Sequence, residues 1–155
     1  MDDGLSDQDY VALHEFRYAI RRFTRISEDL ARAAGIEPQQ HQLMLAIKAT
    51  QVDGQARISD LAERLQLRHH STVELIDRLV TNGLAERHRA EEDRRQVHVQ
   101  LTPKGEHALA QLAQQHREQL RCDGRELVHV LEMIMQSDDG SPTRHALRAS
   151  SAESE

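Results

Sequence analysis

The sequence from Ile58 to Gly105 reads ISDLAERLQLRHHSTVELIDRLVTNGLAERHRAEEDRRQVHVQLTPKG. Its first ten residues have the apolar spacing of a short helix, and the next run predicts a second helix that ends at Asn82-Gly83. The remainder predicts two strands around an arginine-rich turn, followed by the start of another helix. This order of elements predicts a winged helix-turn-helix. The second helix of that fold fits the major groove of DNA, and the hairpin tip can reach an adjacent minor groove.

Two local patterns refine these elements. Ser59 is expected to cap the first helix, because its side-chain oxygen can accept a hydrogen bond from a free backbone N–H of the first turn. In the second strand, Val99 and Leu101 are expected to face the core and His98 to face solvent, since side chains alternate between the faces of a strand. The residues expected inside the two helices are Leu61, Ala62, Leu65, Thr72, Leu75, Ile76 and Leu79.

A long helix is predicted N-terminal to this segment, over residues 7–34. Apolar residues recur there at helical spacing, and Gly35 can end the helix. Pro38 is expected in the first turn of the next helix, where no backbone donor is needed. The apolar stripe of the first helix consists of Leu13, Phe16, Ile20, Phe23 and Leu30.

Two more helices are predicted after the hairpin. Thr102-Pro103 supplies a cap followed by a first-turn proline, so a helix is expected to start there. Asp123-Gly124 is expected to interrupt it, and a last amphipathic helix follows. Residues 137–155 are polar and are expected to form a mobile tail.

The outer helices present apolar stripes that a small winged-helix core cannot cover. Two copies of the chain are therefore expected to bury these stripes against each other. We predict a helical dimerisation region formed by residues 7–34 and 103–136, and a DNA-binding domain formed by residues 36–102. The expected fold class is mainly α with a small β-hairpin wing.

The composition fits a small helical protein. Of the 155 residues, 38% are hydrophobic and 3% are aromatic, with no Trp, so an aliphatic core is expected. No apolar run approaches the roughly 20 residues that cross a bilayer, and the acidic start MDDGLSDQDY lacks the apolar core of a signal peptide. We expect a cytoplasmic protein that does not bind membranes. Its single Cys122 excludes an internal disulfide.

The net charge of −6 is unevenly distributed along the chain. Between Arg57 and Lys104 there are nine Lys or Arg and eight Asp or Glu, a balance of +1, which leaves −7 for the remaining residues. The excess acid therefore lies outside the candidate DNA surface. Such a distribution is expected if only one face of the protein meets phosphate.

The chain resembles the MarR family of bacterial transcriptional regulators over roughly residues 10–135. The segment DRRQVHVQLTPKG (93–105) is similar to the family's wing signature, which consists of Asp-x-Arg, a strand and Leu-Thr-x-x-Gly. Residues 71–87 are similar to the recognition helix and its exit. Residues 35–47 are similar to the second helix, with His41 where an aromatic residue is more usual.

This resemblance implies a dimer with two winged-helix lobes below a helical dimerisation region. It also implies binding to pseudo-palindromic promoter DNA, and many members are repressors that release DNA when a small molecule enters a cleft between the two regions. We therefore predict a homodimeric, ligand-responsive repressor. Its partners are double-stranded DNA, a second copy of itself and a small-molecule effector, and no cofactor is predicted.

Six residues at the start of the recognition helix are predicted to contact DNA. Side chains at this end of the helix reach base edges, and the helix dipole favours nearby phosphate. Arginine or histidine can donate to guanine, an apolar side chain can contact the thymine methyl group, and a carboxylate can accept from cytosine N4. The six residues are Arg68, His69, His70, Ser71, Val73 and Glu74.

The wing is predicted to supply further DNA contacts. Arg94 and Arg95 lie at its tip, and arginine in the minor groove responds to groove width and potential. The resemblance implies that Asp93 orients an arginine, most directly Arg95. Arg89 and Lys104 are predicted phosphate contacts.

The effector cleft is predicted only from the resemblance, which points to the helices that carry Phe16, Ile20, Phe23, His41, Leu45 and Leu109. A minority of the family senses zinc through histidines of the second and fifth helices. His41 and His107 lie in matching helices, so a zinc-responsive regulator is an alternative. The usual spacings of zinc ligands are absent, and no metal site is predicted.

Two other classes of function receive little support from the sequence. A winged-helix protein that acts mainly through protein contacts is favoured only by the acidic total charge. An enzyme is not predicted, because the chain has no Ser/His/Asp order, phosphate-binding glycine loop or metal triad. Cys122 is expected to be a structural or inert thiol.

Overall fold

A computed structural model describes residues 5–53, 55–89 and 96–136. Its elements are α1 (Asp7–Ala33), α2 (Pro38–Asp53), α3 (Ile58–Leu65), α4 (His69–Thr81), β1 (Ala85–Arg89), β2 (Val97–Leu101) and α5 (Pro103–Gln136). This order confirms the predicted class, which is mainly α with a two-stranded wing. No helix among the described residues is long and apolar enough to cross a membrane.

The chain forms two compact units. One contains the described residues up to Thr24 together with those from Gln119 onward, and the other runs from Arg25 to Glu118. The second unit contains the whole winged helix. The division that we predicted, residues 7–34 and 103–136 against 36–102, remains a prediction, and the polar tail at 137–155 lies outside the described residues.

The winged helix has one aliphatic core. Burying a large aliphatic side chain of this kind contributes about 1.5–3 kcal/mol to stability. Helices α3 and α4 contribute the inner stripes that their apolar periodicity predicts, α2 adds further buried apolar side chains, and the hairpin closes one side of the core. Its fully buried residues include Leu43, Met44, Ile47, Leu61, Ile76, Leu79 and Val99.

A third extended segment, at Arg57, pairs with β2 of the hairpin. β1 and β2 pair antiparallel from Ala85 opposite Leu101 to Arg89 opposite Val97. Arg57 forms an isolated antiparallel bridge to His98 on the other edge of β2.

The expectation that His98 faces solvent is wrong. The side chain is only 4% exposed, whereas Val99 and Leu101 are buried as predicted. Neither ring nitrogen of His98 has a hydrogen-bond partner among the described residues. The alternation rule describes a two-stranded hairpin, whereas β2 also pairs with Arg57 on its other edge, so His98 lies in the middle of three extended segments.

The expected cap at Ser59 is also wrong. Helix α3 begins at Ile58, and the extended residue before it is Arg57, whose side chain makes no capping hydrogen bond. Ser59 is already inside the helix, where its hydroxyl donates to Asp60 Oδ1 at 3.2 Å. A residue with helical backbone angles cannot occupy the extended N-cap position.

The predicted interruption at Asp123-Gly124 does not occur, and α5 is one continuous helix. Arg22 of α1 donates to Asp123 Oδ1 at 3.3 Å and to Glu126 Oε2 at 2.9 Å, which holds two successive turns of α5. A glycine inside a helix costs about 1 kcal/mol relative to alanine. That cost is too small to break a helix that is supported on both sides of Gly124.

Candidate nucleic-acid interface

A tight turn sets the start of α4. Gln66 adopts the left-handed conformation, with φ 54° and ψ 38°, and closes α3. Arg68 is extended, with φ −70° and ψ 150°, and occupies the N-cap position of α4 without a side-chain capping hydrogen bond. Thr72 Oγ1 donates back to the Arg68 carbonyl at 3.1 Å. The helix therefore begins with backbone N–H groups that no side chain caps, an arrangement that suits an anion.

The helix has one buried and one exposed face. Its buried face confirms the predicted residues Thr72, Leu75, Ile76 and Leu79. The predicted DNA contacts lie outside this stripe: Arg68, His69, His70 and Glu74 are exposed, and Ser71 and Val73 are partly buried. The geometry leaves these side chains available to a duplex.

The C-terminal end of α4 is held by the residues that follow the hairpin. Gly83, with φ +67°, ends the helix. Its carbonyl accepts a hydrogen bond from Thr102 Oγ1 at 2.7 Å. Lys104 Nζ donates to the Asn82 carbonyl at 2.9 Å. Lys104, predicted as a phosphate contact, is thus exposed but already bonded to the end of α4, where a cation is favoured by the helix dipole.

The start of α5 fits closely against the residue that precedes β1. Thr102 Oγ1 accepts a hydrogen bond from the Gly105 N–H at 3.1 Å, which confirms the predicted cap. A Cβ atom on Gly105 would lie 2.0 Å from the Leu84 carbonyl oxygen. The glycine that ends the LTPKG motif is therefore required by a backbone contact.

Arg87 contacts the candidate recognition helix, although no local pattern in the sequence indicates this contact. One guanidinium nitrogen donates to Asp77 Oδ1 at 2.5 Å, and the other to the Val73 carbonyl at 3.4 Å. Arg87 thereby joins β1 to the middle of α4. Its partner residue lies ten positions earlier in the chain, and no local periodicity connects a strand residue with that position.

The remaining wing residues are partly outside the described chain. Arg89 is exposed at the end of β1, opposite Val97. Asp93, Arg94 and Arg95 lie outside the described residues, so their predicted contacts with DNA remain predictions.

A pair of histidines lies inside the second unit, between α2 and α5. The rings of His41 and His116 are stacked with their centroids 4.6 Å apart. His116 Nδ1 lies 2.7 Å from the Leu112 carbonyl and its Nε2 lies 2.6 Å from Ser27 Oγ. A neutral ring that donates from Nδ1 and accepts the serine hydroxyl at Nε2 satisfies both contacts.

His41 is the less satisfied member of this pair. It is 2% exposed, and its Nε2 has no hydrogen-bond partner among the described residues. Burial and, to a smaller extent, the electrostatic effect of the neighbouring His116 together lower the pKa of His41 from 6.5 to about 4. His41 is therefore neutral near pH 7.

The predicted effector residues divide between the two units. Phe16, Ile20 and Phe23 belong to the first. His41, Leu45 and Leu109 belong to the second, where His41 and Leu109 are buried and Leu45 is exposed. The second unit also contains a groove of about 720 Å³, lined by Leu30, Ala33, Ala34, Gln111, Leu112, Gln114, Gln115 and Glu118. None of the six predicted residues lines this groove.

The histidines proposed for zinc do not form a recognisable ligand set. His41 contacts His116, and His107 is exposed on α5. Across the part of the chain that the structure describes, no group of three or more His, Cys, Asp or Glu side chains could hold a metal ion.

Sequence comparison relates the winged-helix segment to known regulators. Residues 34–96 match the model of the MarR family. The chain is 42% identical over 65 residues to the uncharacterized HTH-type transcriptional regulator YfiV of Bacillus subtilis, covering 42% of this chain and 38% of that protein. It is 35% identical over 68 residues to YsmB, another uncharacterized HTH-type regulator of that organism, covering 44% of this chain and 47% of that protein. The matches therefore span less than half of either relative.

Structural comparison extends the likeness to most of the chain. AbsC, a MarR family transcriptional regulator from Streptomyces coelicolor, superposes with a TM-score of 0.69 at 22% identity, covering 88% of this chain and 91% of that one. A mutant MarR from E. coli complexed with operator DNA gives a TM-score of 0.62 at 21% identity, covering 78% and 88%. At these identities the likeness establishes a shared winged-helix fold.

Proposed function

We propose that this chain, whose residues 34–96 match the model of the MarR family, is a transcription regulator that binds promoter DNA sequence-specifically and is not an enzyme. The observation that carries the proposal is the exposed face of α4, which presents His69, His70 and Glu74 opposite a fully buried stripe. The structural relative complexed with operator DNA has the same fold. A cytoplasmic site of action follows from this function, since bacterial promoters lie there.

Each part of the interface has a distinct role in this proposal. Histidine side chains at the start of α4 donate to guanine O6 or N7, and Glu74 accepts from cytosine N4. Arg94 and Arg95 enter the minor groove beside the wing. Arg89 binds phosphate. Together these contacts combine base recognition with charge-dependent affinity.

A homodimer is part of the proposal, and the first compact unit supplies its support. Apolar side chains on this unit's helices remain exposed, and Leu13 and Ile20 of the predicted stripe are 43% and 40% exposed. A surface of this kind is typical of a protein–protein interface. The exposed apolar residues of this unit are Leu5, Tyr10, Val11, Leu13, Tyr18, Ile20, Leu120, Val128, Leu131, Met133 and Met135.

The proposed dimer is a repressor that a small molecule releases from DNA. The effector would favour a lobe spacing that cannot fit two successive major grooves, so that DNA affinity falls by a shift in population. The resemblance to ligand-responsive MarR regulators supports this step. The groove between Leu30 and Leu112 is of a size that accepts a small molecule.

Replacing His70 and Arg95 one at a time is expected to separate base recognition by α4 from the charge-dependent contact that the wing makes in the minor groove. His70→Ala should change the preferred base at one position and weaken binding to the wild-type site by about tenfold, since a base contact is worth about 1–3 kcal/mol. Arg95→Ala should weaken binding to all sites and reduce the slope of log affinity against log salt by about one. Fluorescence anisotropy on a set of single-base operator variants measures both effects.

The control for these variants is Arg117→Ala, which removes a positive charge from an exposed position of α5 that is not among the predicted DNA contacts. It should leave affinity, base preference and salt slope unchanged. Wild-type behaviour of both His70→Ala and Arg95→Ala across the operator set would show that the assignment of these two residues is wrong.

A further inference from the structure

The side chain of Arg87 extends from the inner face of the wing to the outer face of α4. Its cross-strand partner is Val99, which is fully buried, so the Arg87 stem lies on the core side of the hairpin. The side chain is 33% exposed, and its guanidinium reaches Asp77 and the Val73 carbonyl. An arginine can cover apolar surface with its stem while its charged end meets polar groups.

Asp77 is the reason why this contact matters for DNA. His70, Glu74 and Asp77 follow one another at spacings that place them on one face of α4, opposite the buried stripe. A carboxylate on this face would repel the phosphates of a duplex in the major groove. The 2.5 Å contact with Arg87 gives Asp77 a positive partner before DNA arrives.

The second guanidinium contact adds a mechanical role. By donating to Asp77 and to the Val73 carbonyl one turn earlier, Arg87 spans a full turn of α4 from a single strand residue. A planar guanidinium can make two such bonds at once, whereas a lysine ammonium acts as a single point charge. The hairpin and the recognition helix are thereby held in one relative position.

We propose that Arg87 is a positioning residue for DNA recognition, which neutralises Asp77 on the DNA-facing side of α4 and fixes the wing to that helix. This inference rests on the proposed DNA-binding function. It differs from a phosphate contact, because the guanidinium is directed at the protein.

A double-mutant cycle on DNA affinity tests the proposal. Arg87→Ala should weaken binding by about 30-fold, within the range measured for directly coupled residues, whereas Asp77→Asn alone should change it by less than about threefold. The combined variant should bind about fivefold more tightly than Arg87→Ala, because the unpaired carboxylate has been removed. Its salt slope should equal that of the wild type, since no phosphate contact is lost.

Two results in this cycle would overturn the proposal. One is Arg87→Ala binding as tightly as the control Arg117→Ala. The other is a combined variant that binds no better than Arg87→Ala and has a salt slope reduced by about one, which would identify Arg87 as a direct phosphate contact.

Hydrogen exchange in the DNA-free protein separates this inference from the proposed function. The amides of β1 and β2 should exchange about tenfold faster in Arg87→Ala than in the wild type or Arg117→Ala, because the wing opens more often. Unchanged exchange would overturn the positioning role. If the wild type binds no duplex, the proposed function fails, and the exchange result alone decides whether Arg87 fixes the wing.

Discussion

Gly105→Ala is expected to lower the free energy of unfolding by about 3 kcal/mol, the upper part of the range for overpacked sites. The added Cβ would lie 2.0 Å from the Leu84 carbonyl oxygen and 2.9 Å from its carbonyl carbon. Backbone atoms cannot rotate away as a side chain can, so the first turn of α5 or the residue before β1 must move. Urea unfolding followed by circular dichroism, at one fixed protein concentration, measures the loss.

Gly124→Ala is the matched control in the same helix. The nearest atom to a Cβ at that position is Leu120 Cδ2 at 4.0 Å, an ordinary contact. This substitution should stabilise the protein by up to about 1 kcal/mol, because alanine favours the helix over glycine. Equal stability of the two variants would contradict the close backbone contact at Gly105.

Acid is expected to destabilise the protein through His41. The pKa of this side chain is 6.5 in the unfolded reference and about 4 in the folded protein. The folded state therefore favours the neutral ring. The contribution of His41 to the free energy of unfolding is fully present above pH 6.5 and is lost as the pH falls towards 4. The gap between the two values corresponds to as much as about 3 kcal/mol of unfolding free energy.

His41→Leu isolates this contribution from the general effect of acid on carboxylates. The unpartnered Nε2 makes an apolar replacement tolerable, since no hydrogen bond of that nitrogen is lost. Between pH 7 and pH 4.5 the variant should lose clearly less unfolding free energy than the wild type. His107→Leu, at an exposed position on α5, should keep the wild-type slope. Parallel curves for the wild type and His41→Leu would contradict the buried, neutral state of His41.

The elements with strong local signals could be predicted from the sequence. Apolar spacing placed the buried face of α4 at Thr72, Leu75, Ile76 and Leu79, and the glycine after Asn82 marked its end. The hairpin and the helix start at Pro103 followed from alternation and capping chemistry. These features depend on neighbours in sequence, which a single chain reveals.

The features that were missed depend on contacts between distant residues. His98 is buried and pairs with Arg57, a residue far away in the sequence, and the alternation of one strand cannot indicate such a pairing. The stacking of His41 on His116 and the pairing of Arg87 with Asp77 arise only once the helices and the hairpin have packed.

Two local rules also gave way to tertiary structure. Gly124 looked like a helix end, but ion pairs from Arg22 support the turns around it. Gln66 takes a left-handed conformation that glycine or asparagine usually occupies, because the short link between α3 and α4 requires it. At Gly124 the packed elements outweigh a helix preference worth about 1 kcal/mol.

Selection of bound duplexes from a random DNA library, followed by a salt titration on the most enriched sequence, tests the central claim most directly. A homodimeric winged-helix regulator should select an inverted repeat whose half-sites lie about one helical turn apart. Its affinity for that site should fall steeply as salt rises. Recovery of no motif, with only weak salt-sensitive binding to every duplex, would contradict sequence-specific recognition by this protein.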